Sequence, residues 1–381
     1  MARTLLLNPK DNWNGWLERT PHDTYSTAEY HSIAEEMGEG RALMAVHYDG
    51  DKVMAWPFLL RDIPSAACPG FRDVTSVYGY SGPLAANCKP GDQFLESAAR
   101  EIADVWTSLR VVSVFARFHP LLENSRWSEA LTPVVLGANA AVEHAWGDTG
   151  VAIQGQTVSI DLTLPEETAI HQYGKILRQE IHQARRRGVN TTIDEEWSAL
   201  DDFLEIYHAT MDRNHAADDY FFPREYFDRL RQRLGNRCFL TVARYEEQVA
   251  AVCIAFECNG ILQAHLGGPS SRYMQLSPFK ELLDSLRRIG KSRGNSVMHI
   301  GGGRGAANDS LFAFKARFSP RRHSYCIGRW VLDRNAYDAL CEERRTLAGF
   351  EEADSGNSFF PAYRVPSRAG IEMALTTSVH A

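Results

Sequence analysis

The stretch Cys238-Phe-Leu-Thr-Val-Ala-Arg-Tyr-Glu-Glu-Gln-Val-Ala-Ala-Val-Cys-Ile-Ala-Phe256 decides the fold. Two apolar runs of strand length, 238–243 and 249–256, flank a polar turn at 245–248, the pattern of a buried hairpin. Downstream, 261–266 reads as a third strand entering Gly267-Gly-Pro269. Residues 278–289 then read as a helix with proline in its first turn, where a missing N–H does no harm. A fourth strand follows at 297–300. The same order occurs earlier in the chain: strand 42–47, turn 48–51, strand 53–60, Val77-Tyr-Gly-Tyr-Ser-Gly-Pro83, helix 92–109 and strand 111–115. Phe94, Ala98, Ile102, Val105 and Leu109 keep helical spacing along that helix. Gly82-Pro83 and Gly268-Pro269 lie 186 residues apart, as do Val111 and Val297.

Helical stretches precede each copy: 31–37 for the first, and 168–188, 199–210 and 224–234 for the second. No linker is rich in Pro, Gly or Ser, so the halves should pack rather than swing. Strand, turn, strand, strand, helix, strand is the central order of the GNAT acyltransferase fold. The expectation is therefore an α/β (α+β) chain of two tandem GNAT-like domains, 1–155 and 156–326, with 327–381 as a C-terminal segment.

Bulk properties fit this plan. A chain of 381 residues with 44% hydrophobic and 23% charged residues can bury a full core, and two domains is the natural count. No apolar run reaches the ~20 residues of a membrane helix, and the three leucines after Thr4 are too short for a signal peptide. The reading is a cytoplasmic protein without a membrane partner. Seven cysteines, odd in number and without a C-x-x-C pair, suggest neither a disulfide framework nor a zinc site. The net charge of −7 argues against a coat of nucleic acid but leaves room for a local basic face.

GNAT enzymes that use acetyl-CoA hold its pyrophosphate on a loop of the form R/Q-x-x-G-x-G/A at the start of the central helix, where bare N–H groups bind anions. The corresponding loops here are Ser81-Gly-Pro-Leu-Ala-Ala-Asn-Cys-Lys-Pro-Gly91 and Ser270-Ser-Arg-Tyr-Met-Gln-Leu-Ser-Pro278. Neither has the paired small residues, and Pro278 removes a donor. Gly301-Gly-Gly-Arg-Gly305 is not a Walker loop, since it opens into Ala-Ala-Asn-Asp rather than G-K-[ST].

From about 177 to 333 the sequence resembles the FemABX family. The resemblance rests on Leu177-Arg-Gln-Glu-Ile-His-Gln-Ala-Arg-Arg-Arg-Gly-Val189, on Tyr207-His-Ala-Thr-Met-Asp-Arg-Asn-His215, and above all on Gly301-Gly-Gly followed by Asp309-Ser-Leu-Phe-Ala-Phe-Lys-Ala-Arg-Phe318. The front half, through 73–83 and 115–120, is similar to the related FemAB-like, acetyltransferase-like branch. The resemblance implies transfer of an amino acid from aminoacyl-tRNA to an amine, forming a peptide bond, with no cofactor beyond the charged tRNA. It also implies that 327–381 returns to the first domain. No coiled-coil arm is visible, as in the armless FemX type. That type holds a nucleotide-linked cell-wall precursor with an early lysine, and 20–41 contains none. A small peptide-like amine from secondary metabolism, such as antibiotic biosynthesis, fits as well as a peptidoglycan precursor.

Lys315 is the candidate catalytic residue, because a fixed ammonium stabilises the oxyanion formed when an amine attacks an ester. An exposed lysine between Phe314 and Phe318 is the bland alternative. Phe314 could stack on the terminal adenine or pack in the core. The resemblance places Thr210 and Arg213 at the acceptor, with Tyr220 and Tyr273 as further acceptor candidates. Arg185, Arg186 and Arg187 are either a solvated helix end or phosphate contacts. Arg321, Arg322 and Arg329 form the second candidate tRNA-binding cluster. Asp309 is expected to cap the helix of Lys315. His265, His299 and His323 lack metal-ligand spacing, and no metal is expected. Two other functions stay open: an acyl-CoA N-acyltransferase of the same fold, and a non-catalytic tandem-GNAT binding protein.

Overall fold

The computed structural model describes residues 2–137, 149–214, 216–348 and 359–365. The first half contains strand β1 (Arg3–Leu7), helices α1 (Trp13–Leu17) and α2 (Ala28–Glu36), strands β2 (Arg41–Asp49), β3 (Lys52–Asp62), β4 (Arg72–Thr75) and β5 (Leu84–Ala86), helix α3 (Gln93–Ser108), strand β6 (Val111–Arg117) and helix α4 (Leu131–Gly137). Strand β7 (Gly150–Asp161) leads to helices α5 (Glu166–His171) and α6 (Lys175–Arg186), strand β8 (Asn190–Asp194), and helices α7 (Leu200–Arg213) and α8 (Arg224–Leu234). The second half continues with β9 (Cys238–Tyr245), β10 (Gln248–Cys258), β11 (Ile261–Pro269), α9 (Pro278–Ser292), β12 (Val297–Gly302) and α10 (Ser310–Ala316). Strand β13 (Arg322–Val331) and helix α11 (Arg334–Ala348) follow.

Among the described residues thirteen strands join one sheet, in the order β1-β2-β3-β4-β6-β13-β7-β12-β11-β10-β9-β8, with β5 on β3. The two ends have the same plan. In each, an antiparallel hairpin leads to a third strand, and a helix crosses over to a strand parallel to it: β4 with β6, and β11 with β12. The halves are joined by an exchange. Strand β7 leaves the first half and pairs with β12, while β13 leaves the second and pairs with β6. β7 and β13 then pair with each other at the centre. The expected joins at 155/156 and 326/327 fall inside these two strands. Residues 327–331 lie on β6, as the return segment anticipates; 349–358 and 366–381 lie outside the described residues.

Two sequence expectations need revision. The third strand of the first copy is β4, not 77–83, because Gly79 (φ +105°) and Gly82 (φ +90°) take left-handed conformations that a ladder does not continue through. The helix expected over 168–188 is two helices, since Gly174 is extended and caps α6.

The cores explain why the halves do not separate. Phe94, Ala98, Ile102 and Trp106 of α3 pack on β2, β3 and β6, with Trp56, Trp106 and Trp330 edge to face. Leu177 and Ile181 of α6 and Leu282 and Leu286 of α9 cover the second half. A third cluster is shared: Tyr25, Tyr30, Ile33 and Val77 pack with Phe203, Phe227, Leu240 and Ile254. Among the described residues, no helix is long and apolar enough to cross a membrane.

Candidate functional site

The site begins where parallel pairing stops. β11 and β12 pair only through Ile261–Gln263 and Val297–His299. Beyond that, β11 continues on β10 alone and β12 on β7 alone, which opens a cleft between them. The first half fills it with Tyr78-Gly79-Tyr80. A side chain at Gly79 would lie 2.3 Å from the Tyr25 ring, so only glycine lets the loop approach. Tyr78 meets Phe222 (5.0 Å between ring centres) and His265 (5.7 Å). Tyr80 meets His299 (5.1 Å), His119 (5.9 Å) and Tyr325 (5.5 Å).

Lys315 stands at the mouth of the same cleft. Asp309 caps α10 by accepting from Phe312 N at 2.9 Å and is held by Arg304, so its expected capping geometry is present. The last turn carries Lys315 back over β12, where Nζ donates to Gly302 O at 2.7 Å. Gly301 (φ +74°) keeps this space open: a Cβ there would lie 3.2 Å from Lys315 Nζ and 3.7 Å from Tyr80 Oη. Burial lowers the Lys315 pKa from 10.5 to about 8. An ammonium beside a tyrosine hydroxyl, both at the end of a strand, can stabilise negative charge forming on a carbonyl oxygen. Phe314 is packed between Phe279 (6.2 Å) and Phe318 (5.5 Å), which matches the core alternative.

The other candidates separate into those near the cleft and those away from it. Thr210 is buried against β11, where its Oγ1 would be 2.6 Å from a Cβ at Gly268. Arg213 donates to Thr210 Oγ1 (3.0 Å) and Ser271 Oγ (2.7 Å). Tyr220 is exposed and touches Tyr78 edge-on at 6.0 Å. Tyr273 packs instead on Tyr245 (5.8 Å), outside this cluster. Arg185 is bound to the buried carboxylates Glu281 and Asp284, so its charge is already used inside the protein. Arg186 and Arg187 are exposed. Arg321 pairs with Asp161 at 2.9 Å, and Arg322 donates to Ser319 O and Ala316 O at the end of α10. Arg329 lies seven residues further along β13, ~23 Å at strand rise, over the Phe360 ring. The structure therefore does not bring Arg321, Arg322 and Arg329 into one cluster.

Sequence reasoning missed Tyr80, Asp23 and His119. His119 and Asp23 are 1% and 0% exposed and joined by a 2.9 Å Nε2–Oδ2 hydrogen bond. His299 Nδ1 bonds Gln263 Oε1 at 2.8 Å, and His323 Nε2 meets Ser159 Oγ at 2.7 Å. His265 bridges Tyr25 (3.0 Å) and Tyr226 (3.1 Å), and burial lowers its pKa to about 3. It is a neutral strut between the halves. Among the described residues no group of three or more His, Cys, Asp or Glu could hold a metal ion.

The two helix starts where a GNAT fold places a pyrophosphate carry carboxylates. Asp92 caps α3, accepting from Phe94 N at 3.0 Å, and pairs with Lys52 at 2.8 Å. Glu281, 2% exposed in the first turn of α9, accepts from Ser285 (2.6 Å), Thr191 and Arg185. A cavity of about 300 Å³ lined by Arg185, Gly188, Val189, Asn190, Glu281 and Arg288 opens at this ion-pair network, away from Lys315 and Tyr80.

Residues 172–315 match the family model described as an acetyltransferase (GNAT) domain. No curated protein matches the sequence. Among solved structures the chain is similar to FemX, with 11% identity, 88% of this chain and 99% of that one covered, and a TM-score of 0.66. It is also similar to the C-terminal domain of a protein described as a lysylphosphatidylglycerol synthetase from Agrobacterium fabrum (13% identity; 89% and 95% covered; TM-score 0.52). A conserved protein of unknown function from Bacteroides thetaiotaomicron is a third (8% identity; 87% and 100% covered; TM-score 0.54). These matches carry a coarse conclusion: the fold is that of GNAT acyltransferases, and 172–315 is an acyltransferase domain of that type.

Proposed function

We propose that this acyltransferase moves an amino acid from aminoacyl-tRNA to the amine of a small peptide-like acceptor. The carrying observation is the state of the two helix starts. A pyrophosphate bound at α9 would meet Pro278, which lacks an N–H, and the buried carboxylate of Glu281. At α3 it would displace the Asp92 cap. Repulsion in either place disfavours acyl-CoA. The activated acyl group then needs another carrier, and the resemblance around Lys315 supplies one in the ester of a charged tRNA. The carbonyl of that ester is assigned to the space above Gly301, which Lys315 Nζ and Tyr80 Oη both border. The exposed Arg186 and Arg187, with Arg321 and Arg322, are the phosphate contacts of the proposal, and Thr210, Arg213 and Tyr220 lie toward the acceptor.

The test is release of labelled amino acid from charged tRNA in the presence of candidate amines, with acetyl-CoA binding measured in parallel by calorimetry. Transfer from tRNA with acetyl-CoA binding no tighter than about millimolar, on the order of −4 kcal/mol, supports the reading. Micromolar binding of acetyl-CoA with no release from tRNA overturns it in favour of the acyl-CoA alternative.

A further inference from the structure

Two buried imidazole nitrogens beneath Tyr80 have no partner. The His119 and His299 rings lie 6.1 Å apart, 1% and 0% exposed, and the Tyr80 ring rests against both. Each has its other nitrogen fixed. His119 Nε2 donates to Asp23 Oδ2, and Asp23 is held in turn by Thr24 N at 2.7 Å. His299 Nδ1 donates to Gln263 Oε1, and that amide is oriented by its Nε2 bond to Ala264 O. His119 Nδ1 and His299 Nε2 are thereby left as bare acceptors, and neither meets a hydrogen-bond partner among the described residues. A buried acceptor left unpaired costs about 1–3 kcal/mol. Two such acceptors in one place, with tautomers set by neighbours, form a receptor for a donor that arrives from outside.

A neutral amine N–H is such a donor. Cationic Lys315 stands on one side of the pair, and burial together with His119, His323 and Lys315 holds the His299 pKa well below its usual value, so His299 stays an acceptor. The titratable groups around His119 are Asp23, His299, His323 and Tyr80. Tyr80 is partly exposed while the imidazoles under it are not, so the Tyr80 ring covers the approach to them. Gly79 and Gly82 bracket that residue.

We infer that the Asp23–His119 pair, with His299, is the proton-accepting site for the attacking amine, an inference that rests on the transfer reading above. The amine nitrogen attacks the ester carbonyl carbon and a C–N bond forms. Its proton passes to His119 Nδ1, and Asp23 stabilises the imidazolium. Collapse of the tetrahedral intermediate breaks the bond to the ribose oxygen, which takes the proton back from His119. Lys315 holds the oxyanion meanwhile. Asp23 and His299 are positioning residues for His119 and for the amine.

The test has two arms. In the first, the full chain labelled with ¹⁵N-histidine is titrated with ethylamine and separately with ethyltrimethylammonium, which has the same charge and no N–H. The inference expects His119 to carry its proton on Nε2 and the His119 Nδ1 and His299 Nε2 resonances to move with ethylamine alone. A protonated Nδ1, no shift, or equal shifts with both probes overturns it. In the second arm, His119→Gln lowers the single-turnover rate from charged tRNA by ~10²–10⁴ and removes the rise in rate with pH that a base confers. Asp23→Asn lowers it less and mixes the His119 tautomers in the same spectra. A His119→Gln rate within threefold of wild type also overturns the inference. If the wild type transfers nothing from any charged tRNA, the function reading fails while the first arm still decides the amine site.

Discussion

Replacing Lys315 by Met separates what this residue does for stability from what it does for chemistry. Its pKa falls from 10.5 to about 8 because the ammonium is buried. At 1.36 kcal/mol per pKa unit, the charged form destabilises the fold by about 3 kcal/mol at pH 7. This cost is fully present below pH 8 and fades as pH rises towards 10.5, because the folded state gives up the proton before the unfolded state does. Met removes the charge and keeps the length, but it leaves Gly302 O without its donor, a loss of about 1–3 kcal/mol. The two terms leave Lys315→Met between unchanged and about 2 kcal/mol more stable at pH 7. Any advantage over wild type shrinks between pH 8 and 10.5. If the ammonium stabilises the oxyanion, the same variant loses ~10²–10³ in single-turnover transfer. Lys315→Arg is also impaired, since a planar fork does not replace a compact ammonium. The assays are denaturant unfolding from pH 7 to 10.5 and transfer from charged tRNA. A variant that transfers within about threefold of wild type refutes the chemistry. One that is destabilised by several kcal/mol at pH 7 shows that Lys315 is kept as a structural contact.

Arg287→Met should lower stability by less than the ~3–5 kcal/mol of a fully stranded buried charge, because Asp284, 1% exposed beside Tyr173, keeps its pairing with Arg185; urea unfolding reads this directly. Arg185→Met should act in the same way and leave tRNA affinity unchanged, while Arg186→Glu with Arg187→Glu weakens tRNA binding and flattens its salt dependence in filter binding. Arg329→Ala should leave tRNA binding as it is, since that guanidinium sits over Phe360. Burial depresses the His265 and His31 pKa values to about 3 and about 4, so both must be neutral in the fold. Their contribution is intact above pH 6.5 and is lost as pH falls towards 4; His31→Phe should blunt the acid loss of melting temperature over that window.

The hairpins were legible because each is a run of buried β-formers broken by one polar turn, and helix α3 because five apolar residues fall on one face. The exchanged strands were not. β7 begins with exposed residues and contains Gly150 and Gly155, so its apolar period is weak, and its partners are β12 and β13, far away in sequence. The repeat offset misled at 77–83. It aligned Gly82-Pro83 with Gly268-Pro269, yet the second pair continues a ladder while the first turns out of it to deliver Tyr80. Lys315 was found only through resemblance; composition and spacing alone left it a surface lysine.

The reason no local motif marks the site lies in the exchange itself. Asp23, Tyr80 and His119 come from the first half, and His299 and Lys315 from the second. Tyr325 belongs to β13, which follows the second half in sequence and pairs with the first. Neither half carries a proton acceptor, an ammonium and a cover together. The cleft lies where the parallel strands β11 and β12 part. Here that cleft in the second half is closed by a tyrosine loop from the first, and the β7–β13 ladder holds the two in register. The signal for such a site is distributed over 300 residues as single polar side chains, each indistinguishable in sequence from a satisfied core residue. It becomes visible only when the structure brings them together and shows that His119 Nδ1 and His299 Nε2 are left without a partner among the described residues.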